Sequence, residues 1–362
     1  MGRKRTAGLY QRNGVWHIDK QFRGHRICES TGESGLAEAE TYLIKRLEEM
    51  RQAQVFGVRP KRSFRVAATK YLNENAHKRS IETDMHHLKM MDSFIGSLSL
   101  DAVHMGNLQQ FISARKLQGV KTKTINGALA VVRHLLNMAA SEWIDDNNLT
   151  WLAVAPKIKL LKVTDARKPY PLSWEEQTAF FKELPAHLQP MALFKVNTGC
   201  RDGEVCSLRW EWEVQVPELN TSVFIIPDAH VKNGDERLVV LNHVAKSVID
   251  SMRGKHPDYV FTYHGKPTGT MHNSGWQNAR SRVGLEQVRV HDLKHTFGRR
   301  LRAAGVSFED RQDLLGHKTG KITTHYSAAE LESLIDAANT VCETKSRKSP
   351  ALVMLKQKMA TA

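Results

Sequence analysis

Residues 314–331 read LLGHKTGKITTHYSAAEL, and this stretch organises the reading of everything before it. Leu314-Leu315 end an apolar helical run, Gly316 can take the left-handed backbone that closes a helix, and His317 follows on the turn. Farther on, Ser327-Ala328-Ala329-Glu330 spells a capping box, so a helix starts immediately after Tyr326. A tyrosine held just ahead of a helix start, close in sequence to a turn histidine, is placed as a nucleophile.

Three upstream segments carry complementary chemistry. In TGCRDGEVCSLRW, Arg201 follows Gly199 where one helix ends and another begins. A turn there holds a guanidinium fork suited to two phosphate oxygens, and Glu204 is close enough to orient it. In HVKNGDERLVVL, Asn233-Gly234 is a two-residue hairpin signal that puts the Lys232 ammonium on a mobile tip. In VRVHDLKHTFGRRL, His291 and Lys294 open a helix that runs through Phe297 and Leu301 to a stop at Gly305. Metal-free cleavage of a phosphodiester needs a nucleophile, cations to stabilise the phosphorane, and a proton donor for the departing oxygen. These residue types cover all three needs.

Taken in order, the four segments resemble the tyrosine recombinase family, in particular the integrases of temperate phages and integrative elements. The resemblance implies that Tyr326 forms a 3′-phosphotyrosine link, that Lys232 is the general acid for the leaving 5′-oxygen, and that Arg201, His291, Lys294 and His317 contact the phosphate. The first histidine would also accept the tyrosine proton. The sequence departs from the family pattern at Lys294, where arginine is usual: charge is kept and the bidentate geometry is lost. Arg289, Arg299 and Arg300 are the neighbours that could compensate. The resemblance further implies double-stranded DNA at attachment sites as substrate, a homo-tetramer on DNA, host DNA-bending or directionality factors, and a cytoplasmic, nucleoid-associated setting. Two other readings are a non-catalytic DNA-binding regulator on the same fold and a type IB topoisomerase-like enzyme.

Bulk composition agrees with a polyanionic partner. Lys and Arg outnumber Asp and Glu by 53 to 38, a formal charge of +15. Cys28, Cys200, Cys206 and Cys342 form no CxxC pair, which points to reduced thiols. His291 and His295 share a helix face without a third ligand at metal spacing, so neither a metal nor a cofactor is expected. No apolar run approaches the roughly 18 residues that span a bilayer.

The expected fold class is α+β: a mostly helical catalytic domain with a small antiparallel sheet, preceded by an all-α core-binding bundle and a small N-terminal three-stranded sheet plus helix. Alternation over residues 8–32, with turns at Asn13-Gly14 and Arg23-Gly24, predicts the sheet, and a helix follows from Leu36 to Gln54. This module, residues 1–56, resembles the family's arm-type DNA-binding domain, with Arg3, Lys4, Arg5, Arg12, Lys20, Arg23 and Arg26 available to phosphate. Helices over Phe64–Asn75, Ser80–Ile95, Met105–Leu117 and Thr122–Glu142, the last capped by Thr122, make the core-binding (SAM-like) domain of residues 63–152, with Lys121 and Lys123 as DNA contacts. A linker (153–172), the catalytic domain (173–343, opened by a capping box at Ser173 and Glu176) and a basic tail (344–362) complete the chain. The helix after Tyr326 could pack on its own domain or on a neighbouring protomer.

Overall fold

The computed structural model describes residues 6–317 and 327–342. Arg3, Lys4, Arg5, Tyr326 and the tail 344–362 lie outside the described residues. The chain divides into two compact units, residues 1–167 and 168–362.

The first unit begins with an antiparallel sheet of β1 (Leu9–Arg12), β2 (Val15–Phe22) and β3 (His25–Ser30), covered by α1 (Leu36–Phe56). Asn13, Gly14, Arg23 and Gly24 all have positive φ (49°, 80°, 50° and 85°), the geometry of tight two-residue hairpins. Alternation then divides the sheet: Leu9, Ile18 and Ile27 are buried with Ala39, Leu43 and Met50 of the helix, while the other face stays open.

Four helices follow: α2 (Phe64–Glu74), α3 (Ile81–Ile95), α4 (Met105–Leu117) and α5 (Thr122–Ser141). The α5 stripe Ile125, Leu129, Val132, Leu136 and Ala139 is fully buried at the centre of the bundle. Lys121, not Thr122, is the residue before the first turn of α5. The Thr122 N–H instead donates to Asp165 Oδ2 at 2.8 Å, so a carboxylate from far along the chain does the capping. The expected linker is also tied down. Ile158 is buried in the bundle, and Asn126 and Leu161 exchange two hydrogen bonds of 2.8 Å.

The second unit contains α6 (Trp174–Glu183), α7 (Leu188–Thr198), α8 (Asp202–Cys206), the antiparallel sheet β4 (Glu213–Val216), β5 (Thr221–Ile226) and β6 (Arg237–Val239), α9 (His243–Met252), the short ribbon β7 (Thr262–Tyr263) and β8 (Lys266–Pro267), α10 (Ser274–Arg282), α11 (Val290–Ala303), α12 (Phe308–Leu315) and α13 (Ala328–Asn339). The fold is therefore α+β as expected. The capping boxes at Ser173–Glu176 and Ser327–Glu330 both form. α7 is buried on nearly every side and is the hub of the unit, packed by α9 and α11.

Two local features position the site. β5 pairs with β6 through Ile226 and Arg237, so Asn233-Gly234 lies in a long loop, residues 227–236, rather than in a two-residue hairpin turn. Pro227 and the 3₁₀ turn Asp228–His230 end the ladder early. α13 buries Leu334 and Ala338 against Val240, Phe297, Leu301 and Leu314 of its own domain, which realises the intramolecular packing.

Candidate active site

α7 ends at Gly199 and α12 at Gly316, both left-handed with φ of 63° and 57°. Neither site has room for a side chain: a Cβ on Gly199 would meet Phe297 at 2.8 Å, and one on Gly316 would meet the Arg237 guanidinium at 1.5 Å. Each helix end leaves carbonyls without an intrahelical donor and carries roughly half a negative charge. Side-chain cations fill both gaps. Arg237 Nη2 donates to Thr198 O at 3.5 Å and Leu314 O at 3.3 Å. Lys294 Nζ donates to Gly199 O at 2.7 Å and to Leu315 O. Lys195 Nζ donates to Cys200 O, and Arg201 Nη2 to Gly316 O at 3.2 Å. Successive carbonyls on each turn are thus each held by a cation.

Glu204 sits under this layer. Its carboxylate accepts from the Arg201 backbone N–H at 2.7 Å and from Arg201 Nη1 at 2.6 Å, and it pairs with Arg237 Nε at 3.2 Å. Burial alone would raise its pKa, but the Arg237 charge and then the Arg201 hydrogen bonds outweigh burial and hold the carboxyl below its ordinary value. Arg201 and Arg237 differ in access. The Arg201 side chain keeps 21% of its surface and can reach a ligand, whereas Arg237 keeps 2%.

Burial shifts the remaining groups first, and neighbouring cations add to it at Lys294, His291 and His317. Burial, then the Arg237 charge, pushes Lys294 down to about 7, and burial pushes Lys195 down to about 8. His291 falls to about 4 through burial and then the neighbouring His295, whose ring lies 4.8 Å away, so the imidazole is neutral at pH 7. His317 is lowered by desolvation of its ring and then by Lys294, Arg201 and Arg237. His291, Lys294, His295, Arg299 and His317 line one cavity of about 380 Å³. With Lys294 about half protonated at pH 7, the four basic side chains against one carboxylate and two helix ends leave between one and two positive charges, roughly, for an anion to neutralise.

Arg201, Glu204, Lys294 and His317 thus belong to one cluster, with His291 on the same cavity. Lys232 does not join it: the side chain is exposed on its loop, without a hydrogen bond or ion pair among the described residues. Of the arginines near Lys294, Arg299 lines the cavity, Arg300 stacks 3.5 Å from the Trp174 ring centroid and donates to Gln177, and the Arg289 N–H donates to Asp292. In the first unit, Arg12, Arg23 and Arg26 are exposed; Arg26 forms a two-point bond with Asp19 on the open sheet face, whereas Lys20 lies on the helix side and donates to Ala7 O at 3.0 Å. Lys121 and Lys123 are exposed at the start of α5.

Sequence reasoning passed over Arg237 and Lys195. The signals were present: Arg237 shares the inward face of β6 with Val239, and Lys195 interrupts the otherwise apolar MALFKV of α7.

Residues 174–333 match the model of the phage integrase family. The chain is 24% identical to the integrase of Salmonella phage P22 over 98% of its own length and 99% of that protein. It is 24% identical to the tyrosine recombinase XerC of Xylella fastidiosa, covering 68% of this chain and 84% of that one. A lambda integrase dimer bound to a COC′ core site shares the fold, with a TM-score of 0.57 at 14% identity over 93% of this chain and 97% of that one. Residues 174–333 thus carry the phage integrase family domain, and along its whole length the chain is similar to a tyrosine recombinase of integrase type.

Proposed function

We propose that this recombinase cleaves and rejoins DNA strands through a 3′-phosphotyrosine at Tyr326, integrating or excising a phage or mobile element. The Tyr326 oxygen attacks phosphorus, the bond to the 5′-oxygen breaks, and Lys232 gives that oxygen its proton. His291, neutral near pH 7, accepts the tyrosine proton. Arg201 grips the non-bridging oxygens, and His317 adds a further contact. The bond energy is kept in the phosphotyrosine, so a second DNA end reverses the step without a cofactor.

The observation that carries this reading is the partly accessible Arg201 fork, fixed by Glu204 in a cluster with excess positive charge. Residues 63–152 would grip the core site with the catalytic domain, residues 1–56 would bind arm sites, and four protomers would exchange strands through a Holliday junction in the cytoplasm. A lambda integrase tetramer bound to a Holliday junction shares the fold at 15% identity and supports that assembly. Host DNA-bending or directionality factors would set the direction.

The test is incubation of nicked attachment-region DNA with the protein in EDTA. An SDS-stable adduct formed by wild type and lost in Tyr326→Phe is expected. Sequence-specific binding without any adduct would replace the recombinase with a DNA-binding regulator.

A further inference from the structure

We propose that Lys294 and Arg237 are positioning residues that tie the end of α7 to the end of α12, fixing Arg201 and His317 relative to each other, and that Lys294 does not serve as a phosphate ligand. The proposal rests on the phosphotyrosine reading of the site.

Two helix C-termini meet here, and their partial negative charges repel. Lys294 bridges Gly199 O and Leu315 O, and Arg237 bridges Thr198 O and Leu314 O. Each cation therefore joins one turn to the other. The residues these turns carry are functional: Arg201 follows Gly199 by two positions, and His317 follows Gly316 directly. Arg201 adds its own bond to Gly316 O, which places the phosphate grip on the tied framework.

Access separates the roles. Lys294 keeps 5% of its surface and Arg237 keeps 3%; the Lys294 ammonium is held by two backbone carbonyls at the edge of the His291–His317 cavity, and Arg237 divides its donors between backbone and the Glu204 carboxylate. Arg237 Nη1 has no acceptor among the described residues and packs against Gly316, where a Cβ would strike it. A compact ammonium also suits the Lys294 position better than a planar fork. Two carbonyls converge on one nitrogen beside Gly199, whose missing Cβ already leaves no space against Phe297 and Leu315. The lysine is thus explained by its acceptors.

A single-turnover cleavage assay on nicked attachment DNA tests this, comparing an ordinary scissile phosphate with a neutral methylphosphonate at the same position. A residue that neutralises phosphate charge becomes dispensable on the methylphosphonate; a residue that sets geometry does not. Lys294→Met is expected to cleave ordinary DNA about ten- to hundredfold more slowly, with DNA affinity little changed, and to recover on the methylphosphonate only as far as its effect runs through Arg201, so that the deficit transmitted through His317 remains. Arg201→Met, in contrast, recovers. Lys294→Arg is expected to be slower than wild type despite keeping its charge. Complete recovery of Lys294→Met on the neutral substrate, or a Lys294→Arg enzyme faster than wild type, would overturn the proposal. Amide exchange in the free, full-length protein gives an independent measure: in Lys294→Met, exchange rises together at residues 199–201 and 316–317, and unchanged exchange at both turns counts against the tie. Absence of an adduct with wild type would defeat the functional reading and leave the exchange result to decide the tie.

Discussion

Lys232 and Lys294 carry the same side chain into opposite surroundings. Lys232 stands exposed on the loop between β5 and β6, while Lys294 is buried at the junction of α7 and α12 with its ammonium on two carbonyls. A lysine on a loop can travel to a ligand and back, because nothing described holds it. A lysine whose donors close two helix ends cannot leave without exposing those carbonyls, each costly to bury unpaired. Charge and sequence proximity to a motif therefore do not define a role; the acceptors do.

The largest expected effect sharpens the Lys232 side of this contrast. Lys232→Ala should slow cleavage by about 10²–10⁴, the usual worth of a general acid. A 5′-thiolate leaving group, which departs without a proton, should restore it. A deficit that persists with the thiolate would remove Lys232 from the acid role.

Gly316→Ala tests the buried side. A left-handed alanine costs about 1–2 kcal/mol, and forcing the Arg237 guanidinium aside adds about 1–3 kcal/mol of overpacking. Chemical denaturation should show the sum, and the loss should shrink in the Arg237→Ala background. Equal losses in both backgrounds would mean that Gly316 and Arg237 are not coupled.

Titration gives a smaller effect with a definite sign. Lys294 has a folded pKa near 7 and an ordinary one of 10.5, so between those values the unfolded state holds more protons. Stability relative to Lys294→Met should consequently rise as pH increases from 7 toward 10. His291, depressed to about 4 from 6.5, should make stability fall as pH drops from 6.5 toward 4. Denaturation curves that run in parallel across pH for wild type and Lys294→Met would contradict the buried-cation account.

The smallest difference lies on the N-terminal sheet. Asp19 already neutralises Arg26, whereas Arg12 has no ion pair among the described residues. Arg12→Ala should weaken arm-site binding more than Arg26→Ala, measured at one salt concentration. The reverse order would mean that DNA displaces Asp19.

Much of this arrangement could be read from the chain. Asn13-Gly14, the α5 stripe and the Ser173 and Ser327 capping boxes are local signals, and each formed where the spacing put it. The Arg201–Glu204 pair was legible for the same reason, since its partners are three residues apart. What stayed hidden depends on distant partners. Asp165 takes the capping role from Thr122 across the bundle, and Pro227 ends a ladder that Asn233-Gly234 alone suggested was longer. The Lys294 acceptors come from two helix ends distant in sequence, which no local pattern announces.

The most direct test of the account is to digest the covalent adduct and identify the nucleotide-bearing peptide by mass spectrometry. The account predicts a 3′-phosphonucleotide on the peptide containing Tyr326. A nucleotide on any other residue, or one linked through its 5′-phosphate, would contradict it.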